Sequence, residues 1–315
     1  MSKRKEVSSP KENDKTKSAE KDEKDYISAR AIDELVKSLE AIRSTRVITL
    51  LFSNDESIND STIRSVYDRL RSNYYDATKL DVIIYSRGGD IDAAYGLAEI
   101  IRRFAPEKLT FIVPRWAKSA ATLLVCSGDE IMMNITSELG PLDPQIFIPD
   151  PLTGSPEVFS PLSIKSTLDI LKELEKEGHT SLCEIITEKM NPYTLGEFLR
   201  TLDIAKDYQK KLLSSRMFAK IEKGEEKASQ IAEKMAIGYI HHGYFIGIDE
   251  AKNIGLNIIE PSKEEWNIIW KIEELFEESE EEKYKEDDEK LEIRGKKREG
   301  TLGQPIRAER GRKNL

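Results

Sequence analysis

The sequence predicts an α/β domain built on a parallel sheet, and three observations carry that expectation. Apolar, β-branched runs at Arg46 to Phe52, Asp81 to Tyr85 and Leu109 to Val113 are separated by stretches of helical period. Strands that alternate with helices read as parallel strands joined by right-handed crossovers. Each run also stops at residues that break a strand, namely Ser53-Asn54-Asp55, Ser86-Arg87-Gly88-Gly89 and Pro114-Arg115. Finally, the longest apolar runs, Val47 to Phe52 and Ala120 to Cys126, fall far short of the roughly eighteen residues a membrane span needs.

Taken in order, residues 1–25 are Lys, Glu, Ser and Asp with no apolar core. They predict a disordered charged segment and no signal peptide. Ile32, Leu35, Leu39 and Ile42 keep helical register and predict a helix over Tyr26 to Thr45. The first strand follows, then a crossover helix over Asp60 to Asn73. After the second strand, Ala94, Leu97, Ile100 and Ile101 mark one face of a helix from Asp90 to Phe104. The third strand leads through Trp116-Ala117-Lys118 to Ser119 and a small, apolar helix from Ala120, with a fourth strand after Gly128. Pro141, Pro144, Pro149 and Pro151 then predict an extended loop of the kind that lines a groove. Helices are predicted at Leu162 to Lys176, Thr180 to Lys189, Thr194 to Ile221, Glu225 to Ala236 and Ile248 to Ile254, with a short last strand at Leu256 to Ile259. The domain is bounded as residues 26–262. Residues 263–276 carry Trp266, Ile269, Ile272 and Phe276 on an amphipathic helix that packs on the domain or meets another subunit, and 277–315 form a charged tail, expected to be disordered.

With 315 residues, 34% of them charged and 38% hydrophobic, the chain can bury one sizeable core between charged ends. Its net charge of −9 argues against a nucleic-acid-binding body, which needs a basic footprint. Cys126 and Cys183 have no metal-ligand spacing and no pairing pattern, which fits a reducing compartment. A cytoplasmic protein with no metal and no cofactor is the expectation. No Gly-x-x-x-x-Gly-Lys-Ser/Thr loop occurs, so any ATP dependence belongs to a separate partner such as an unfoldase.

The chemistry suggested by this arrangement is acyl transfer. Gly88 and Gly89 free the backbone after the second strand to aim N–H groups outward. Ser119, at a strand-to-helix turn, can present its hydroxyl to a carbonyl while backbone donors at Gly88, Gly89 and Ala120 hold the oxyanion. Either half alone has a plain reading: adjacent glycines make turns, and a serine before a helix is an N-cap.

Ser86-Arg87-Gly88-Gly89-Asp90-Ile91, the later Ser119-Ala120-Ala121 and then Gly128-Asp129-Glu130-Ile131-Met132-Met133-Asn134 together resemble the Clp-protease-like serine peptidases of the ClpP/crotonase superfamily. Ser137-Glu138-Leu139-Gly140-Pro141-Leu142-Asp143-Pro144-Gln145 and the stretch from His242 to Leu256 narrow the resemblance to the serine dehydrogenase proteinase family, related to signal peptide peptidase A. The resemblance covers about residues 30 to 262 and implies a spiral of β-β-α/βαβ units with additional C-terminal helices. It also implies a polypeptide substrate and self-association into a homo-oligomer, with the long helix from Thr194 as the assembly element.

The general base does not follow from the motifs. Clp peptidases place a histidine where this chain has Leu142-Asp143, whereas the later segment here offers His241 and His242. Signal peptide peptidase A relatives use a lysine, for which Lys165 and Lys189 are the local candidates; a catalytic lysine must be held neutral by burial or a neighbouring cation. His242 ranks ahead of Lys189, and Asp143 is the candidate to orient the base. Lys118 is a substrate-carboxylate contact or a surface charge. The expected activity is serine endopeptidase. Its rivals are a crotonase-like enzyme acting on a coenzyme A thioester and a catalytically inactive scaffold that keeps the fold.

Overall fold

Apolar alternation along the strands sets the layers. The computed structural model describes residues 10–143, 146–149, 156–188 and 192–299. From the amino end, α1 (Pro10–Arg43) leads into β1 (Arg46–Leu51), α2 (Asp60–Asn73), β2 (Lys79–Tyr85), α3 (Ile91–Arg103) and β3 (Lys108–Val113). Next come β4 (Trp116–Ala117), α4 (Ala120–Val125), β5 (Glu130–Met133) and β6 (Glu138–Leu139). After them stand β7 (Ile146–Pro149), β8 (Pro156–Phe159), α5 (Pro161–Lys176), α6 (Thr180–Glu188), α7 (Pro192–Ser215) and α8 (Gly224–Ile237). The order closes with α9 (Ile248–Asn253), β9 (Ile258–Ile259) and α10 (Lys263–Glu299).

The chain divides into two units, Ile32–Glu273 and a second made of Met1–Ala31 with Glu274–Leu315. In the first, five strands pair in parallel in the order β1-β2-β3-β5-β9. Residues of period two separate its two cores, as a sheet covered on both faces requires. Ile48, Val82, Ile84, Phe111, Val113, Ile131 and Met133 face the larger core with α2, α3, α4, α7 and α8. Val47, Ile83, Ile112 and Met132 face a smaller one with Val36 and Leu39 of α1 and Ile269 and Ile272 of α10. The α/β fold with parallel crossovers is therefore as expected.

Side chains occupy the free edge of β1. Val47 N–H donates to Glu40 Oε1 (2.9 Å), the Tyr74 hydroxyl to Val47 O (2.9 Å) and Arg69 to Thr49 O (3.1 Å). Those ladder groups are thus closed to a further strand.

Two features differ from expectation inside this unit. Pro149 does not punctuate one long loop: it stands opposite Pro156 at one end of an antiparallel hairpin of β7 and β8, at strand ends where a missing N–H costs no ladder bond, while Pro144 and Pro151 lie outside the described residues. A small parallel pair, β4 with β6, also escapes the pattern, because two-residue strands have no period to read.

In the second unit, α1 is helical from Pro10, where a disordered segment through residue 25 was expected. Lys, Glu and Ala are strong helix formers, and residues 11–25 hold neither Gly nor Pro. Glu and Lys likewise carry α10 past residue 276 to Glu299, through Gly295 and across residues expected as tail. The positions 1–9 and 300–315 of the expected tails lie outside the described residues.

Candidate active site

The site forms where β2 and β3 end, the edge of a parallel sheet at which ligands gather. Ser86 follows β2 and bridges Ala117 of β4: Ser86 N–H donates to Trp116 O (2.9 Å) and Lys118 N–H to Ser86 O (3.0 Å). This ties the Gly88-Gly89 loop to the turn that carries Ser119. Gly88 (φ 113°) and Gly89 (φ 149°) hold backbone conformations that side chains rarely adopt. A Cβ on Gly88 would stand 2.9 Å from Ser119 Cβ, and one on Gly89 would stand 2.3 Å from Ile58 O. Both glycines are thus required by position as well as by φ.

Hydrogen bonding separates the candidate donors. Gly88 N–H is taken by Ser86 Oγ at 3.1 Å. The bridge from Ile58 to Gly89 uses Ile58 N–H to Gly88 O (2.9 Å) and Asp90 N–H to Ile58 O (2.8 Å), so it spends neither backbone group of Gly89. Ala120 N–H opens α4, whose first internal donors are Ala121 and Thr122. Among the described residues, Gly89 and Ala120 therefore hold the two uncommitted N–H groups beside Ser119.

Ser119 occupies the N-cap position of α4, but its side chain does not cap the helix. A capping serine adopts extended backbone and accepts an N–H from the first turn, whereas Ser119 sits at φ 50°, ψ −120° and makes no side-chain capping bond. This strained conformation is fixed from both sides. Ala121 N–H donates to Lys118 O (2.9 Å), Thr122 N–H to Ser119 O (2.9 Å), and Thr122 Oγ1 to Ala117 O (2.6 Å). Strain held this firmly outside glycine is a mark of functional positions.

His242 arrives from the other end of the unit. Its Nδ1–H donates to the Asp143 carbonyl oxygen at 2.8 Å, and the Asp143 carboxylate lies 3.9 Å from the same nitrogen. The proton on Nδ1 leaves the Nε2 lone pair as the basic site. Asp143 is buried, and Ser160, which also caps α5 through Leu162 N–H, donates its hydroxyl to both carboxylate oxygens (2.9 and 2.7 Å). Burial raises the Asp143 carboxyl above its usual range, opposed by that hydrogen bond and by the charge on His242. Leu139, paired with Ile246 in both directions (2.9 and 3.2 Å), sets the two segments side by side.

Ser119, Gly89, Ala120 and His242 all line one cavity of about 570 Å³, with Arg87 and Thr201 among its walls. Thr201 comes from α7, which docks on α3 by stacking Tyr208 on Tyr95 (4.1 Å between centroids) and by a Tyr208 hydroxyl bond to Asp92 (2.7 Å). Lys165 stands on α5, away from the cavity lining, and Lys189 lies outside the described residues. Lys118 points to the Glu138 carboxylate. Burial first and the Arg87 guanidinium second push its ammonium down to about 8, against the pull of that carboxylate. Cys126 is buried, with its thiol pushed up to about 12 by burial, which makes it inert.

The sequence did not single out Arg87, Thr201 or Ser160. A serine before proline does signal a helix start, as at Ser160, but no local pattern pairs it with a carboxylate seventeen positions earlier.

Residues 20–154 match the family described as "ClpP-like SDH-type serine proteinase". It is 28% identical over 203 residues to the uncharacterized protein MJ0137 of Methanocaldococcus jannaschii, a match covering 62% of this chain and 58% of that protein. It is 26% identical over 254 residues to the uncharacterized protein MJ1495 of the same organism, covering 77% and 74%. The chain thus matches less than two thirds of the length of the first of these relatives. Among solved structures it is similar to ClpP1 from Listeria monocytogenes (15% identity, TM-score 0.37, 69% of this chain and 93% of that one). It is also similar to a mutant of the 1510-N membrane-bound stomatin-specific protease (15% identity, TM-score 0.41, 70% and 80%). Among the described residues, no helix is long and apolar enough to cross a membrane.

Proposed function

We propose that the chain is a serine endopeptidase with Ser119 as nucleophile, His242 as general base, and the Gly89 and Ala120 N–H groups as the oxyanion hole. The observation that carries the reading is the strained Ser119, which caps nothing and opens on the same cavity as His242 and two uncommitted N–H groups. Ser119 Oγ attacks the scissile carbonyl carbon as His242 Nε2 takes its proton, and the oxyanion is held by the two backbone donors. The C–N bond then breaks as His242 returns the proton to the departing amine. Water, deprotonated by the same nitrogen, releases the acyl group and restores Ser119. Asp143 positions the base: its carbonyl fixes the tautomer, and its carboxylate faces the imidazolium as it forms.

A cavity of about 570 Å³ admits side chains of an extended segment and excludes a folded domain. The substrate in this reading is unfolded polypeptide, and a folded target requires a separate unfoldase. Self-association into a homo-oligomer is part of the same reading.

The test is turnover of an unstructured polypeptide by wild type and by Ser119→Ala. The reading expects cleavage in the first and at least a ~10³-fold loss in the second. Turnover of a coenzyme A thioester that survives Ser119→Ala would replace it with a crotonase-like reaction. A folded wild type that turns over neither is a scaffold.

A further inference from the structure

In a chain of net charge −9, the wall of the candidate site carries a cation held with no acidic partner among the described residues. Arg87 stands one residue before the Gly88-Gly89 loop and lines the cavity beside Ser119. Its guanidinium lies over the Trp116 ring (4.2 Å to the centroid), and its Nε–H donates to Asn54 Oδ1 at 2.8 Å. These two contacts fix the plane and use the Nε edge. The end-on pair of Nη groups is left, and among the described residues no carboxylate is paired with it. That pair of parallel N–H donors matches the two oxygens of a carboxylate.

The charges nearby are already committed. Asp90 Oδ1 accepts from Ala93 N–H (2.7 Å) and Asp92 Oδ1 from the Tyr208 hydroxyl (2.7 Å), so both acids of the cavity wall serve α3 and its contact with α7. Arg115, which also lies over the Trp116 ring (4.5 Å), is ion-paired with Glu273 at 3.7 Å, and Lys118 contacts Glu138. Burial first and the Arg87 charge second lower the pKa of Lys118, which places the Arg87 guanidinium within electrostatic reach of the residue before Ser119.

The geometry points to Arg87 as the carboxylate-binding subsite of this peptidase, selecting substrates that place an acidic side chain or a free chain terminus next to the scissile bond. The inference rests on the serine-peptidase reading and adds its substrate class. Nearness to the oxyanion loop gives the contact its leverage, because a carboxylate seated on Arg87 orients the adjoining peptide carbonyl toward the Gly89 and Ala120 donors.

The experiment uses matched peptides with Glu or Gln at each of the two positions on either side of the cleaved bond, and one peptide with a free or an amidated carboxyl end. kcat/KM is measured on the full chain for wild type, Arg87→Gln and Arg87→Lys. Wild type is expected to prefer the charged member of one pair by about tenfold. The ratio should collapse to about one in Arg87→Gln and return in part in Arg87→Lys. Preference within the Glu/Gln pairs identifies a side chain as the ligand, and preference for the free carboxyl end identifies a terminus. A structural role for Arg87 would lower both members of a pair equally and leave the ratio intact. Equal turnover of all pairs by wild type overturns the subsite, even if Arg87→Gln fails to fold. Failure of the underlying reading is seen separately, as absence of Ser119-dependent cleavage of every peptide.

Discussion

The two halves of the candidate site are held by different forces. On the nucleophile side, Gly88, Gly89, Ser119 and Ala120 are placed by backbone hydrogen bonds and by φ values that follow from short local sequence. On the base side, the His242 side chain reaches the Asp143 carbonyl ninety-nine positions away, on segments that the Leu139–Ile246 bridge aligns and the Ser160 side chain steadies. Backbone-fixed geometry survives the loss of most single side chains, whereas side-chain-fixed geometry depends on each partner. The nucleophile half should therefore be brittle to added atoms, and the base half to removed ones.

A large effect is expected from Gly89→Ala. Its methyl would overlap Ile58 O and Ile58 N, at 2.3 and 2.5 Å, both backbone atoms that cannot step aside. Displacing one oxyanion donor costs about 10²- to 10³-fold in kcat, and peptide turnover with a circular dichroism control would measure it. If Gly89→Ala keeps full activity, the Gly89 N–H is no oxyanion donor.

Removal of the base follows. His242→Ala is expected to lower kcat by about 10²- to 10⁴-fold, and Lys189→Ala to leave it within a few-fold. The reverse ranking in parallel kinetic runs would move the base to Lys189 and reduce His242 to a structural contact.

These two expectations track what the sequence makes legible. The strand ends, the paired glycines and Ser119 could be read because strand period, φ > 0 turns and the strand-to-helix junction are local. The choice between His242 and Lys189 could not, because it turns on which distant segment reaches the Asp143 carbonyl, and that depends on the Leu139 to Ile246 bridge. Where the resemblance leads one to look for a histidine, Leu142-Asp143 supplies instead the carbonyl that receives one from elsewhere. Arg87 was visible as a residue of the motif, but its stacking on Trp116 belongs to the three-dimensional arrangement alone.

A smaller effect sharpens the comparison further. In Asp143→Asn the backbone carbonyl that fixes the imidazole remains, so kcat should fall by only about tenfold, well short of the His242→Ala loss. Stability should move with pH in a defined direction. Burial raises the Asp143 carboxyl in the folded chain above its ordinary 3.8, so ionisation is costlier folded than unfolded. The contribution of Asp143 to stability is greatest below 3.8 and is lost as pH rises through the folded value. Relative to wild type, Asp143→Asn should gain stability between pH 3 and pH 7. Thermal unfolding at a series of pH values checks this, and a relative loss over that range would mean that the ion pair with His242 outweighs burial.

The smallest effect lies behind the site. Gln209 of α7 is fully buried with Oε1 unpartnered and only a weak contact from Nε2 to Cys126 Sγ at 3.5 Å. Gln209→Met keeps the volume and removes the unsatisfied group, and about 1 kcal/mol of added stability is expected from denaturant unfolding. A destabilised Gln209→Met would indicate that an ordered water satisfies Oε1.

The most direct test of the central claim is reaction of the folded chain with a fluorophosphonate, a probe that phosphonylates only activated serines, with the adduct located by mass spectrometry. The account predicts a single adduct on Ser119 that is lost in His242→Ala and retained in Lys189→Ala. An unlabelled, folded wild type, or an adduct on Ser119 indifferent to His242, would contradict it.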